Sequence, residues 1–395
     1  MRSIKDTVAI VGMGCTRFGE HWDKSFEDLT VEACFEAFED AGIETRDIQA
    51  GWIGTGSSGW SGQVLSHAVK LEYVPVTRVE NFCATGTDAL RNACYAVAAG
   101  MYDVVLVAGV EKLKDSGVAG LDFPVGTVGV TAARVMPQLP PPSTFALLAT
   151  RYFYHYGLSF EEGKRILAQI AVKNHHNGSL NPKAHFRREI TIEQVMNAPM
   201  VAWPLGLFDC CGVSDGAAAA VITRADLAKS FRDDYILVKG LGLTCGAFQG
   251  QLQDTYDFVH GEENVTASRI AYREAGINNP REEIDLAIVH DCFTITELVI
   301  YEDLGFSPRG RAREDVESGF FTLEGGLPVN TDGGLKCFGH PVGASGIRMI
   351  YEVYKQLQCK AGPRQVKDAR IGLTHNLGGS PGCWTGAVSI WGRRD

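Results

Sequence analysis

One pattern occurs twice along this chain of 395 residues, and it restricts the possible folds more than any other feature. Ala37-Phe38-Glu39-Asp40-Ala41-Gly42-Ile43 finds a counterpart in Ala271-Tyr272-Arg273-Glu274-Ala275-Gly276-Ile277, and each reads as a helix end closed by glycine. A short polar stretch and a strand follow both copies, Ile48 to Gly54 in one case and Ile284 to Val289 in the other. Gly86 to Val97 and Gly343 to Tyr354 make a second pair, each leading a helix. Two α/β halves built on one plan are therefore expected. A length beyond the usual limit of a single hydrophobic core points the same way.

The expected first half covers 1–111 and resumes at 210–230, the second covers 231–395, and a loop domain fills 112–209. Thr7 to Gly12 reads as a short strand leaving on glycine, with a helix from Thr30 to Ala41. The insertion begins rich in Gly and Pro, including Leu139-Pro140-Pro141-Pro142. A helix from Ser159 to Asn174 follows, and Ser159 with Glu162 makes a capping box at its start. Such an insertion forms either a cap over an active site or a purely structural excursion.

Charge narrows the ligand. A formal net charge of −10 argues against nucleic acid and anionic membranes, which are bound through clustered Lys and Arg, so a small molecule is expected. No apolar run approaches the roughly 20 residues that span a bilayer. The eleven cysteines are scattered and the N-terminus lacks a signal-peptide apolar region, which fits a reducing cytoplasm. No Cys-x-x-Cys occurs, and Cys210-Cys211 alone cannot build a zinc ribbon, so no metal site is expected.

Four places carry titratable groups or close-approach glycines where a parallel sheet would present a ligand site. His290-Asp291-Cys292-Phe293 ends the buried strand Ile284 to Val289, at the carboxyl edge of the sheet. Cys83 follows the strand signal Val76 to Val79 and precedes a helix, where macrodipole and free N–H groups favour a thiolate; a buried residue in a tight turn is the structural alternative. His340, in Gly339-His340-Pro341, stands before the equivalent helix of the other half, so a twofold between the halves would bring it to Cys83 as a base. His375-Asn376-Leu377-Gly378-Gly379-Ser380-Pro381-Gly382 follows the strand Ala369 to Thr374 and reads as a Gly-rich loop whose N–H groups could hold an oxyanion, with His375 structural.

Taken together, these segments resemble the thiolase superfamily over nearly the whole chain, with the closest likeness to the thiolases related to sterol carrier protein 2. The resemblance implies a five-layered αβαβα fold of two related halves, an inserted loop domain and a homodimer or homotetramer. It assigns Cys83 as the acylated nucleophile, His340 as its base, His290 as organiser of a water or oxyanion, and Gly378 with Cys83 as amide donors. Asn376 falls where ordinary thiolases carry their acid/base cysteine, and Cys292 takes over that role, with Cys383 the weaker candidate. The implied reaction is thiolysis of a 3-oxoacyl-CoA with coenzyme A as co-substrate and no permanently bound cofactor. Alternatives are an aldolase-like or carbon-acylating relative and a non-catalytic acyl-CoA-binding subunit. Relatives without a fused lipid-transfer domain often work with a small subunit carrying an OB fold and a zinc ribbon, which makes such a partner an expectation here.

Two expectations concern substrate contacts. Lys183, Arg187 and Arg188, with His185, either meet coenzyme A phosphates or form a solvated face. Trp60, Trp203 and Trp384, with Phe82 and Phe293, either line an acyl pocket or, for most of them, belong to the core.

Overall fold

A computed structural model of the chain describes residues 3–116, 140–248, 250 and 256–394. The first half contributes β1 (Val8–Cys15), α1 (Phe26–Ala41), β2 (Ala50–Gly54), β3 (Val76–Val79), α2 (Thr85–Ala98), β4 (Val104–Lys112) and β5 (Asp215–Arg224). The insertion between β4 and β5 carries α3 (Pro141–His155) and α4 (Phe160–Ser179). The second half contributes β6 (Ile236–Cys245), α5 (Glu262–Ala275), β7 (Leu286–Ile288), α6 (Thr294–Asp303), α7 (Gly334–Phe338), α8 (Val342–Leu357), β8 (Ile371–Ser380) and β9 (Cys383–Arg393).

These nine strands form one sheet in the order β3-β2-β4-β5-β1-β6-β9-β8-β7. The order is two copies of one arrangement set back to back. In the first half β2 runs parallel to β4, β4 antiparallel to β5, and β5 antiparallel to β1. In the second, β7, β8, β9 and β6 repeat those relations in turn. Only Ala9–Leu237 and Ile10–Ile236 stitch β1 to β6 where the halves meet.

Helices α2 and α8 pack together in the middle, with α8 touching β4 and β5 on one side and β7 and β8 on the other. α1 covers the outer side of β1, β4 and β5, and α5 covers β6 and β9. The result is the expected αβαβα stack of five layers. Side chains explain how the outer layers close. At Gly12 and Gly14 of β1 a Cβ would stand 2.4 Å from Ala37 O and 2.0 Å from Ala33 O. Gly240 and Gly242 of β6 meet Ala271 O and Ala267 O at 2.3 and 2.0 Å in the same manner. Each half thus seats its first helix on a glycine pair of its first strand, facing an alanine pair.

That close seating corrects one expectation: β1 does not leave on Gly12 but continues to Cys15, because the glycines are packing sites within the strand. α1 begins at Phe26 rather than Thr30, under a capping box between Ser25 and Asp28. Gly42 and Gly276 cap their helices in left-handed conformation, φ 70° and 82°. The Ser159–Glu162 box is present, and its helix runs on to Ser179. The Gly- and Pro-rich start of the insertion, through Leu139, lies outside the described residues. Among the described residues no helix is long and apolar enough to cross a membrane.

Candidate active site

Cys83 lies in the tight connection from β3 to α2. Asn81 N–H donates to Thr85 Oγ1 at 2.8 Å, Thr85 Oγ1 donates to Phe82 O at 2.5 Å, and Asn81 Nδ2 donates to Asp88 Oδ2 at 2.7 Å. These bonds hold Phe82 at φ 51°, an unfavourable value for an aromatic residue, and fix where the next residue points. β8 presses on the far side of the loop. A Cβ at Gly378 would stand 2.5 Å from Asn81 O, so only glycine allows this contact.

The other half supplies two imidazoles. The Cys83 Sγ and one ring nitrogen each of His290 and His340 all lie within 4.8 Å of one another. The two rings stand edge to face, 5.2 Å between centroids. Their hydrogen bonds give them opposite tautomers. Ser345 Oγ donates its single hydrogen to Pro341 O at 2.9 Å, so at its 2.7 Å contact with His340 Nδ1 it accepts. His340 therefore carries its proton on Nδ1, and its Nε2 is a buried lone pair with no hydrogen-bond partner. At His290 the logic is reversed. Leu377 N–H can only donate, and it points at His290 Nδ1 from 3.3 Å, with Asn376 Nδ2 at 3.1 Å. Nδ1 accepts, so Nε2 bears the hydrogen. Three such groups resemble a metal trap, but a nitrogen locked as N–H is no ligand, and the set suits proton transfer and oxyanion binding instead.

The resting groups are neutral. Burial lowers His340 to about 3, with the Arg348 guanidinium adding to the effect. His290 falls well below the usual imidazole range through burial and the neighbouring His340 and His375. Burial, together with the carboxylates of Glu111 and Glu80, pushes the half-buried Cys83 thiol up to about 12. Cys292 is buried, 3.8 Å from Thr296 Oγ1, and burial with the nearby Cys211 and Cys83 thiols keeps it protonated. Asp291 turns away from this group. It accepts from Leu335 N–H at 2.6 Å, Lys336 N–H at 3.3 Å and Asn174 Nδ2 at 2.8 Å, fastening α7 and α4 behind the site. Burial and Glu297 raise its carboxyl to about 8.

Comparison with known proteins fits this arrangement. The thiolase N-terminal domain model matches residues 8–226, and the thiolase C-terminal domain-like model matches 248–393. The chain belongs to the thiolase family. Its relatives include an acetyl-CoA acetyltransferase of Methanothermobacter thermautotrophicus, 42% identical, with 98% of this chain and 99% of that protein covered. The benzoylsuccinyl-CoA thiolase subunit BbsB of Thauera aromatica is 34% identical over 95% of each chain. Among solved structures, the Ltp2-ChsH2(DUF35) aldolase matches with a TM-score of 0.86 at 26% identity, covering 99% of both chains.

For this thiolase, the structure brings Cys83, His290, His340 and Gly378 together and sets Cys292 on the same strand end as His290. Other expectations are corrected. The terminal Gly-rich stretch is strand, not loop: β8 runs to Ser380, paired residue by residue with β9, because glycines let it pack flat on the Cys83 connection. Lys183 has no free ammonium for a phosphate, since it pairs with both Glu36 oxygens at 2.7 Å and with Cys15 O. Arg187 and Arg188 are exposed. Trp60 and Trp203 are 96% and 58% exposed, so neither is core, whereas Trp384 and Phe293 are buried, the latter stacked on Phe145 at 4.6 Å. His375 is buried against Asn264 Oδ1 at 3.1 Å.

Ser345 and Glu111 escaped the sequence reading. Glu111, fully buried at the end of β4, accepts from Gly56, Ser57, Ser58 and Gly343 N–H groups at 2.8–3.0 Å, tying the β2 exit to the start of α8. A charge ending the apolar run Val104 to Val110 was its signal. Ser345 had none, since a serine bonding back to the carbonyl four residues earlier is common in helices.

Proposed function

We propose that this thiolase acts on a 3-oxoacyl-CoA, splitting or forming a carbon–carbon bond through an acyl-Cys83 intermediate, with coenzyme A as co-substrate and no permanently bound cofactor. The observation that carries this reading is the cluster of Cys83 Sγ with the His290 and His340 nitrogens, drawn from both halves within 4.8 Å. In the cleavage direction His340 Nε2 takes the Cys83 proton as sulfur attacks the 3-keto carbon. The 3-oxygen becomes an oxyanion held by the amides of Cys83 and Gly378. The bond between carbons 2 and 3 then breaks, and its electron pair forms a thioester enolate. His290 Nε2–H and the newly protonated His340 Nε2–H both donate to that enolate oxygen. Cys292, held protonated by burial, delivers a proton to carbon 2 and releases acetyl-CoA or a longer acyl-CoA. The Cys292 thiolate next deprotonates coenzyme A, whose sulfur takes the acyl group from Cys83, and the His340 imidazolium returns its proton to the departing Cys83 sulfur.

Incubation with a simple acyl-CoA and intact-mass analysis tests the reading: an acyl adduct appears on the parent protein, persists in Cys292→Ala and is absent in Cys83→Ala. Full turnover by Cys83→Ala sinks it. An absent adduct with retained acyl-CoA binding instead indicates a non-catalytic subunit. The aldolase named among the similar structures favours a second reading, carbon–carbon cleavage without acyl transfer. The two differ in whether cleavage consumes free coenzyme A.

The names of two similar proteins, a thiolase subunit and a two-component aldolase, support a partner for this chain, and a small OB-fold and zinc-ribbon subunit on a homodimer or homotetramer is the form we propose. Full activity of the chain purified alone would exclude a required partner. Relatives named for acetyl-CoA and for an aromatic acyl-CoA leave chain length open, so a panel of 3-oxoacyl-CoA substrates of graded length and aromaticity defines the acyl class.

A further inference from the structure

Asn376 is fully buried in β8 and its side chain joins three elements of both halves. Its Nδ2 meets His290 Nδ1 at 3.1 Å, and its Oδ1 accepts from Thr87 Oγ1, in the first turn of α2, at 3.2 Å. α8 closes the third side: a Cβ at Gly346 would stand 2.4 Å from Thr87 Oγ1 and 2.7 Å from Asn376 Oδ1. Its contacts also favour one orientation of the amide. Turned over, it would aim Oδ1 at His290 Nδ1, which would then need a hydrogen that Leu377 N–H, 3.3 Å away, forbids.

We propose that Asn376, oriented by Thr87, is a positioning residue that locks His290 in the Nε2–H tautomer and so makes it a fixed donor to the enolate oxygen beside Cys83. The proposal rests on the thiolase reading of this site. Without the amide only the longer Leu377 N–H contact, 3.3 Å, would favour Nδ1 as acceptor, and His290 could then accept at Nε2 and compete with His340 for the Cys83 proton, leaving the enolate with one donor instead of two. The two histidines thereby receive unlike duties: Ser345 sets the tautomer of His340, and Asn376 that of His290. The same lock spans the halves, because Thr87 belongs to the helix that Cys83 precedes while His290 belongs to the other half.

Long-range proton–nitrogen correlation spectra of protein labelled with nitrogen-15 histidine report which ring nitrogen bears hydrogen, and His290→Gln assigns the signal. Wild-type His290 is expected as Nε2–H. In Asn376→Asp the carboxylate demands a hydrogen on Nδ1, so the signal changes to the Nδ1–H or doubly protonated form. There kcat falls on the order of 100-fold with KM little changed, the loss of one oxyanion donor, and the pH profile gains a new ionisation. Should Asn376→Asp fail to fold, Thr87→Val lowers kcat about tenfold and Thr87→Ser restores it, because the hydroxyl alone orients the amide. A wild-type Nδ1–H signal, or an unchanged kcat and pH profile in both Asn376→Asp and Thr87→Val, would overturn the lock. The spectra need no turnover, so failure of Cys83 to acylate would remove the thiolase reading without deciding the tautomer.

Discussion

Cys83 and His340 occupy the same place in the two halves. Each stands three residues ahead of a glycine, Gly86 or Gly343, in the first turn of the central helix of its half. The glycines let those helices cross, for a Cβ at Gly86 would stand 2.7 Å from Gly343 O. The surroundings then diverge. The Cys83 connection is half-buried and faces the carboxylates of Glu111 and Glu80. His340 is enclosed, braced by Ser345 and faced by Arg348. A negative field beside a thiol and a positive field beside an imidazole oppose ionisation of both. Duplication thus supplied a nucleophile and a base at matched positions, and divergence of their neighbours keeps the pair uncharged until substrate brings a carbonyl that can accept the negative charge.

The comparison is broken most completely by His340→Ala, which removes the base. Thiolysis measured by loss of the 3-oxoacyl-CoA should fall by about 10²- to 10⁴-fold, while the protein remains folded. Arg348→Met attacks the field on the same side. Arg348 pairs with Asp332, both fully buried, so its loss strands a carboxylate and should cost about 3–5 kcal/mol in urea unfolding.

A third variant asks whether the second half holds its other imidazoles neutral. His375 is lowered to about 3 by burial, so below its unfolded value of about 6.5 the unfolded chain binds a proton that the folded chain refuses. Its contribution to stability is present above that value and is lost as pH falls towards 3. The stability gap between the parent and His375→Asn should therefore shrink by about 1.4 kcal/mol per pH unit in that window. The smallest effect sharpens the other side. Glu111→Gln removes a charge that raises the Cys83 thiol, so the pH profile of Cys83 alkylation should move down, with the rate at neutral pH rising by about tenfold or less. An upward move would assign the field to another group.

Features set by neighbouring residues were legible in the sequence. The glycine caps, the Ser159–Glu162 box and the strand delivering His290 and Cys292 depend on contacts within a few positions. The duplication was legible because it repeats. What could not be read depends on contacts across the chain. Gly12 looks like a strand end until Ala37 is seen against it. Gly378 looks like a loop until the Cys83 connection closes over it. Lys183 looks like an anion ligand until Glu36, 147 positions away, claims it. The site shows the same division: the residue types at Cys83, His340 and His290 stood out, while the tautomers that give the histidines different duties come from Ser345, Leu377 and Asn376.

The central claim is that Cys83 takes the acyl group with His340 as its base. Intact-mass and peptide analysis after incubation with an acyl-CoA tests it directly. The account predicts an acyl adduct confined to Cys83, abolished in Cys83→Ala and formed far more slowly in His340→Ala. An adduct on Cys292 or Cys211 with Cys83 unmodified would contradict it.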